Sequence, residues 1–149
     1  MAARYFEDYR VGEVVRAAAV TITESHIIRY AREYDPQPIH VDREAARRSI
    51  YGGLIASGWQ VGALGFSMLV QAGLLGETSL GSPGIDELRW RAPVRPGDTL
   101  HAEAEILERR PSASKPDRGL VTVAYRIRNQ AGEVVMSFRA LQLVRRRPE

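Results

Sequence analysis

"GWQVGALGFSMLVQAGLL", residues Gly58 to Leu75, decides how the chain folds. The run is apolar on nearly every face, so it reads either as a membrane span or as a helix buried inside a fold. As a helix its length is about 27 Å, barely enough to cross a bilayer. Gln60, Ser67, Gln71 and four glycines lower its hydrophobicity further. No flanking basic cluster and no second span support insertion. The stretch is therefore expected to be a buried central helix, and no membrane partner is expected.

Downstream of it the period changes from helical to two. "TLHAEAEILERR" sets Leu100, Ala102, Ala104 and Ile106 on one face, with His101, Glu103 and Glu105 on the other. "LVTVAYRIRN" alternates likewise through Val121, Val123, Tyr125 and Ile127. "DELRWRAPV" leads into the turn "RPGD", "NQAGE" is a hairpin turn, and "VVMSFRALQLV" returns. The segment "RPSASKPDRG" reads as a polar, mobile loop.

Upstream, "VVRAAAVTI" reads as one strand ending at Thr23, which caps a helix through "ESHIIRYAREY". That helix should stop at Asp35, because Pro36 pushes the residue before it out of the α region. Asp42 is placed to cap a short helix through "REAARRS". Strands segregated from helices, with one buried helix against the sheet, mean an α+β fold. At 149 residues the chain is expected to be a single domain, 1–149.

Composition narrows the chemistry. There is no cysteine, so disulfide and thiol chemistry are excluded. His26, His40 and His101 lack the spacing of a metal site, so no metal is expected. The N-terminus has no long apolar run behind a basic start, which makes the cytoplasm the expected compartment. Net charge is +3 and the pI about 9.6, because the bases are almost all arginine. The densest basic run, Arg145–Arg147, reads as a solvated tail, and no aromatic residues interleave with it to stack on bases. Nucleic acid is not an expected partner.

One segment holds chemistry. "EYDPQPIHVD", Glu33–Asp42, contains two prolines, two aspartates and a histidine. It reads either as a stiff interhelical connector or as an acid–base pair, Asp35 and His40. Fully extended, the two side chains would stand about 17 Å apart. They meet only if the segment doubles back, a bend that Pro36 and Pro38 can set with little entropy loss. Gln37 between them could turn inward to the backbone. "YGGLIASGWQ" then places Gly52, Gly53 and Gly58 before the buried helix. Glycines allow close approach of a ligand, and the helix start offers free N–H groups to an oxyanion such as a thioester enolate. Tight turning alone would also explain them.

Together "YDPQPIHVD", "YGGLIASGW" and "GIDELRWRAPVRPGDTL" resemble the MaoC-like dehydratase family, which includes (R)-specific enoyl-CoA hydratases, over about Val11 to Val144. The resemblance implies a hot-dog fold, an antiparallel sheet wrapped around a long helix. It implies a homodimer or dimer of dimers, with a tunnel for an acyl-pantetheine arm near the subunit interface. It also implies that Asp35 and His40 activate water for addition to a trans-2-enoyl thioester, and that the Gly58 N–H binds the thioester oxygen. The substrate would be an acyl-CoA or an acyl carrier protein thioester, with no cofactor beyond it. Gln37 replaces the family's usual asparagine. Ser57 stands where many members carry histidine and is given no catalytic role. Gln37, Gly53, Ser57 and Trp59 are expected around the substrate, and Arg91, Arg95 and Lys115 toward the CoA phosphates. Val61, Leu64, Phe66 and Met68 fit either an acyl pocket or core packing. Alternatives are a hot-dog thioesterase and a non-catalytic acyl-binding subunit of the same fold. Against the thioesterase, Gly58–Gly76 holds no carboxylate, and the first acid afterwards is Glu77.

Overall fold

The computed structural model describes residues 3–149; Met1 and Ala2 of the expected domain lie outside the described residues. In chain order it comprises β1 (Val14–Arg16), β2 (Val20–Thr21), α1 (Glu24–Tyr34), α2 (Pro38–Val41), α3 (Arg43–Arg48), α4 (Gly58–Gln71), β3 (Ile85–Trp90), β4 (Thr99–Pro111), β5 (Arg118–Arg128) and β6 (Val134–Arg145). The alternating strands form an antiparallel sheet in the order β1-β4-β5-β6-β3, with β2 also on β4. Its inner face carries the expected residues, Leu100 to Ile106 on β4 and Val121 to Ile127 on β5, all buried at alternate positions. Helix α4 lies against that face, sharing the core through Val61, Met68 and Leu69.

The single early strand is in fact two. Arg16 pairs with Glu103 and Val20 with Leu100, so three residues stand opposite two on β4 and the ladder breaks at the extra one. The expected mobile loop, residues 110–119, loses its two ends to strand. β4 runs to Pro111 and β5 starts at Arg118, leaving a short turn closed by Ser112 N–H to the Arg118 carbonyl at 3.1 Å.

The central helix differs from expectation in two ways. It stops at Gln71 because Gly73 takes φ +86°, the left-handed turn that ends a helix. Leu74 N–H then reaches the Leu69 carbonyl and Gly73 N–H the Val70 carbonyl, each at 3.0 Å. The helix is also not buried all round. Trp59, Phe66 and Val70 lie on an exposed stripe at helical spacing, 59%, 37% and 36% accessible. No helix among the described residues is long and apolar enough to cross a membrane.

Candidate active site

Local signals build the Glu33–Asp42 segment as a bend. Thr23 caps α1 by accepting from the His26 N–H, and Asp35 closes the helix with its own N–H on the Ala31 carbonyl at 2.9 Å. Pro38 then starts α2, a single turn held by the His40 N–H on the Gln37 carbonyl at 2.9 Å. Asp42 caps α3 with bonds from the Glu44 and Ala45 N–H groups. That one helical turn doubles the chain back, and His40 Nε2 comes to 3.3 Å from Asp35 Oδ2.

The His40 ring is held on its other side by a backbone clamp. Ile55 N–H donates to the Ile39 carbonyl, and Nδ1 of His40 lies 2.8 Å from the Ile55 carbonyl. A carbonyl only accepts, so Nδ1 carries the proton and Nε2 is the nitrogen turned to Asp35. This carbonyl is a functional group that side-chain reasoning did not find.

Asp35 receives two further bonds. Ser57 Oγ donates to Oδ2 at 2.7 Å, and Gln37 Nε2 donates to Oδ1 at 2.8 Å. The Gln37 side chain thus bonds the carboxylate, where the sequence suggests a turn inward to the backbone. Ser57 is fully buried, and its hydroxyl is a partner of Asp35. Burial of Asp35 works to raise its pKa. The bonds from Gln37 and Ser57 and the neighbouring His40 ring outweigh it, and the carboxyl is held below its ordinary value.

Ser57 is also the N-cap residue of α4, yet its side chain makes no cap bond. With the hydroxyl spent on Asp35, the first-turn N–H groups of α4 keep no serine acceptor. Gly58 opens that turn with the indole of Trp90 packed directly over it; a Cβ there would fall 2.3 Å from Trp90 Nε1, so any side chain would displace the indole. Asp35, Gln37, His40, Gly58, Trp59 and Arg91 all line one cavity of about 510 Å³.

The other expected residues divide. Trp59 meets Trp90 edge to face at 5.1 Å between ring centres. Arg91 reaches the cavity wall and is steadied by Ser137 Oγ at 2.8 Å. Arg95 braces the preceding loop through the Tyr51 carbonyl at 2.6 Å, beside Gly53, and neither lines the cavity. Gly52 takes φ +67° and serves the turn. Lys115 sits in the β4–β5 turn, also outside the cavity wall. Val61 is shared between cavity wall and core, and Met68 belongs to the core. Among the described residues no cluster of His, Cys, Asp and Glu could hold a metal ion.

The pattern matches a known domain. A family model described as "MaoC like domain" covers residues 7–128. The chain belongs to the MaoC-like family. It is similar to a MaoC-like dehydratase structure from Rhodospirillum rubrum, with 43% identity, TM-score 0.91, and 99% of this chain covering 100% of that one. It is 32% identical to the (R)-specific enoyl-CoA hydratase of the same organism, over 94% of this chain and 91% of the relative. The unliganded R-hydratase of Pseudomonas aeruginosa superposes with TM-score 0.78 at 28% identity, covering 96% of this chain and 86% of that one. The MaoC-like architecture is the hot-dog fold, α4 being the long helix that lies against its sheet.

Proposed function

We propose that this protein is an acyl-thioester hydratase that adds water reversibly across the double bond of a trans-2-enoyl-CoA, giving the (R)-3-hydroxyacyl-CoA. The observation that carries this reading is the approach of Asp35 to His40, 3.3 Å, in the cavity where α4 begins with uncapped N–H groups. An acid–base pair and an oxyanion site are the two parts that conjugate addition beside a carbonyl requires.

In the proposed step a water bonded to Asp35 and His40 gives up a proton to that pair as its oxygen bonds C3. Negative charge moves through C2 to the thioester oxygen, where the Gly58 N–H receives it. The pair then returns a proton to C2, and the reverse sequence is dehydration. The charge is met by fixed dipoles, so no metal or redox group enters the balance. Arg91 is the proposed partner for the phosphate of the carrier, whether CoA or acyl carrier protein. The (R)-specific hydratase relative supports both the reaction and the stereochemistry. A homodimer completes the proposal, its contact made by the exposed α4 stripe and the β3 edge.

The decisive assay follows loss of the conjugated double bond of crotonyl-CoA and longer trans-2-enoyl-CoAs. Asp35→Asn and His40→Gln should each lower kcat by about 10²–10⁴-fold. If the wild type hydrates none of the panel, or both variants match it, the reading is wrong. A thioesterase would instead release free thiol from saturated acyl-CoAs.

A further inference from the structure

Gln37 stands at the cavity mouth, exposed, with its amide nitrogen on Asp35 Oδ1. The opposite oxygen, Oδ2, is shared by the Ser57 hydroxyl and the His40 ring. We propose that Gln37 is a positioning residue for the hydration reaction, acting through Asp35 by fixing the carboxylate plane so that Oδ2 faces His40. The inference rests on the hydratase reading above.

Three features carry it. First, the chain around Gln37 is rigid: its N–H bonds the Asp35 carbonyl at 2.8 Å, its carbonyl accepts from His40, and Pro36 and Pro38 flank it. The backbone that carries the amide is thus fixed, and only the side-chain torsions of Gln37 remain to be ordered. Second, the amide must present nitrogen, because its carbonyl oxygen would repel a carboxylate. Third, Oδ1 would otherwise face an open cavity, where water could bond it from many directions and leave the carboxylate free to rotate. Two donors on opposite oxygens hold the plane; one does not.

The other titratable or charged groups facing Asp35 are His40 from α2, Tyr30 from α1, and Tyr51 and Arg91 across the cavity. None of them reaches Oδ1 with a hydrogen bond in the structure. Removing the Gln37 donor therefore leaves that oxygen without a protein partner, and the Asp35 pKa rises.

Replacing Gln37 with glutamate gives a sharper signature. Two carboxylates at that distance share a proton, and Ser57 and His40 favour leaving the charge on Asp35, so the proton resides on residue 37. In that state the variant donates to Oδ1 as the amide does. As pH rises the shared proton is lost, and two like charges face each other. The Gln37→Glu enzyme should thus work at low pH and fail as pH rises, whereas wild-type activity is lost as pH falls through the Asp35 pKa.

The experiment measures kcat and KM for crotonyl-CoA across pH for wild type, Gln37→Leu and Gln37→Glu. In parallel, ¹³C NMR follows the Asp35 carboxyl without substrate. Gln37→Leu should lower kcat about 10–100-fold with KM changed less than about twofold, the loss expected for one charge-assisted bond. Its acid limb and its NMR midpoint should both move to higher pH. A raised KM with an unmoved acid limb makes Gln37 a substrate contact and overturns the proposal. So does an Asp35 NMR midpoint unchanged in Gln37→Leu, or a Gln37→Glu profile parallel to wild type. The NMR arm needs no turnover, so a moved midpoint in a protein that hydrates nothing keeps the Gln37 bond and removes the hydratase reading alone.

Discussion

Ser57 belongs to the residue types that cap helices best, and it stands at the cap of α4 without capping it. Its hydroxyl instead stabilises the charged form of Asp35. The Asp35 pKa is lower in the folded than in the unfolded chain. The stability linked to it is therefore present above the unfolded pKa and lost as pH falls through the folded one. Ser57→Ala should cost about 1–3 kcal/mol near neutral pH and less in acid, where Asp35 is protonated in both proteins. Urea titrations at a series of pH values check this, and an equal loss at every pH would show that Ser57 matters only for packing. Proline spacing made a bend possible between Asp35 and His40 without deciding between a connector and a pair, and the resemblance of the whole motif to the MaoC-like family decided it. The part played by Ser57 was not legible. It contacts Asp35 across 22 residues of chain, and only the docking of the α4 N-terminus on α1 and α2 makes that contact.

At the scale of elements, local chemistry was readable wherever it is self-contained. Thr23, Asp35 and Asp42 begin or end helices where capping and pre-proline sterics require. The end of α4 was hidden because Leu74 and Leu75 continue the apolar pattern past the stop. Leu74 is buried against the core as part of the helix terminator itself, so apolarity and helix did not end together. The break between β1 and β2 was hidden for another reason, since a bulge exists only relative to its partner strand. Gly73 tests the account of the α4 terminus. At φ +86° a side chain is strained, so Gly73→Ala should destabilise by about 1–2 kcal/mol. Gly76→Ala, with open space at its Cβ and no positive φ, should stay within about 0.5 kcal/mol. Thermal denaturation of both variants separates the two cases, and equal effects would mean the turn does not depend on Gly73.

At the scale of the whole molecule, charge and apolar surface are distributed unlike in the linear sequence. The C-terminal arginines are not a free tail. Arg146 pairs with Glu7 at 3.0 Å and Arg147 with Asp8 at 2.7 Å, so much of the basic run is neutralised by the N-terminal segment. The conspicuous free surface is apolar. Trp59, Phe66 and Val70 on α4 lie open, as do Ile85 and Trp90 on β3, the last strand of the sheet. Of these, Trp59, Phe66 and Ile85, together with Leu88, Met136 and Phe138, bound a groove of about 640 Å³ lined largely by apolar atoms. A β3 edge with unpaired backbone groups beside such a groove is a surface that proteins cover. In the proposed homodimer a second copy covers it, and Trp59, which borders both this groove and the Asp35 cavity, ties the contact to the site. Phe66→Glu places a charge in the middle of that face while touching neither Asp35 nor His40. It should convert the dimer to monomer in light scattering at micromolar concentration, with secondary structure retained by circular dichroism, because a buried unpaired carboxylate costs several kcal/mol. Hydratase activity should fall with the dimer fraction and recover as protein concentration rises. A wild type that is already monomeric, or a Phe66→Glu variant that remains a dimer, would remove this face from the assembly.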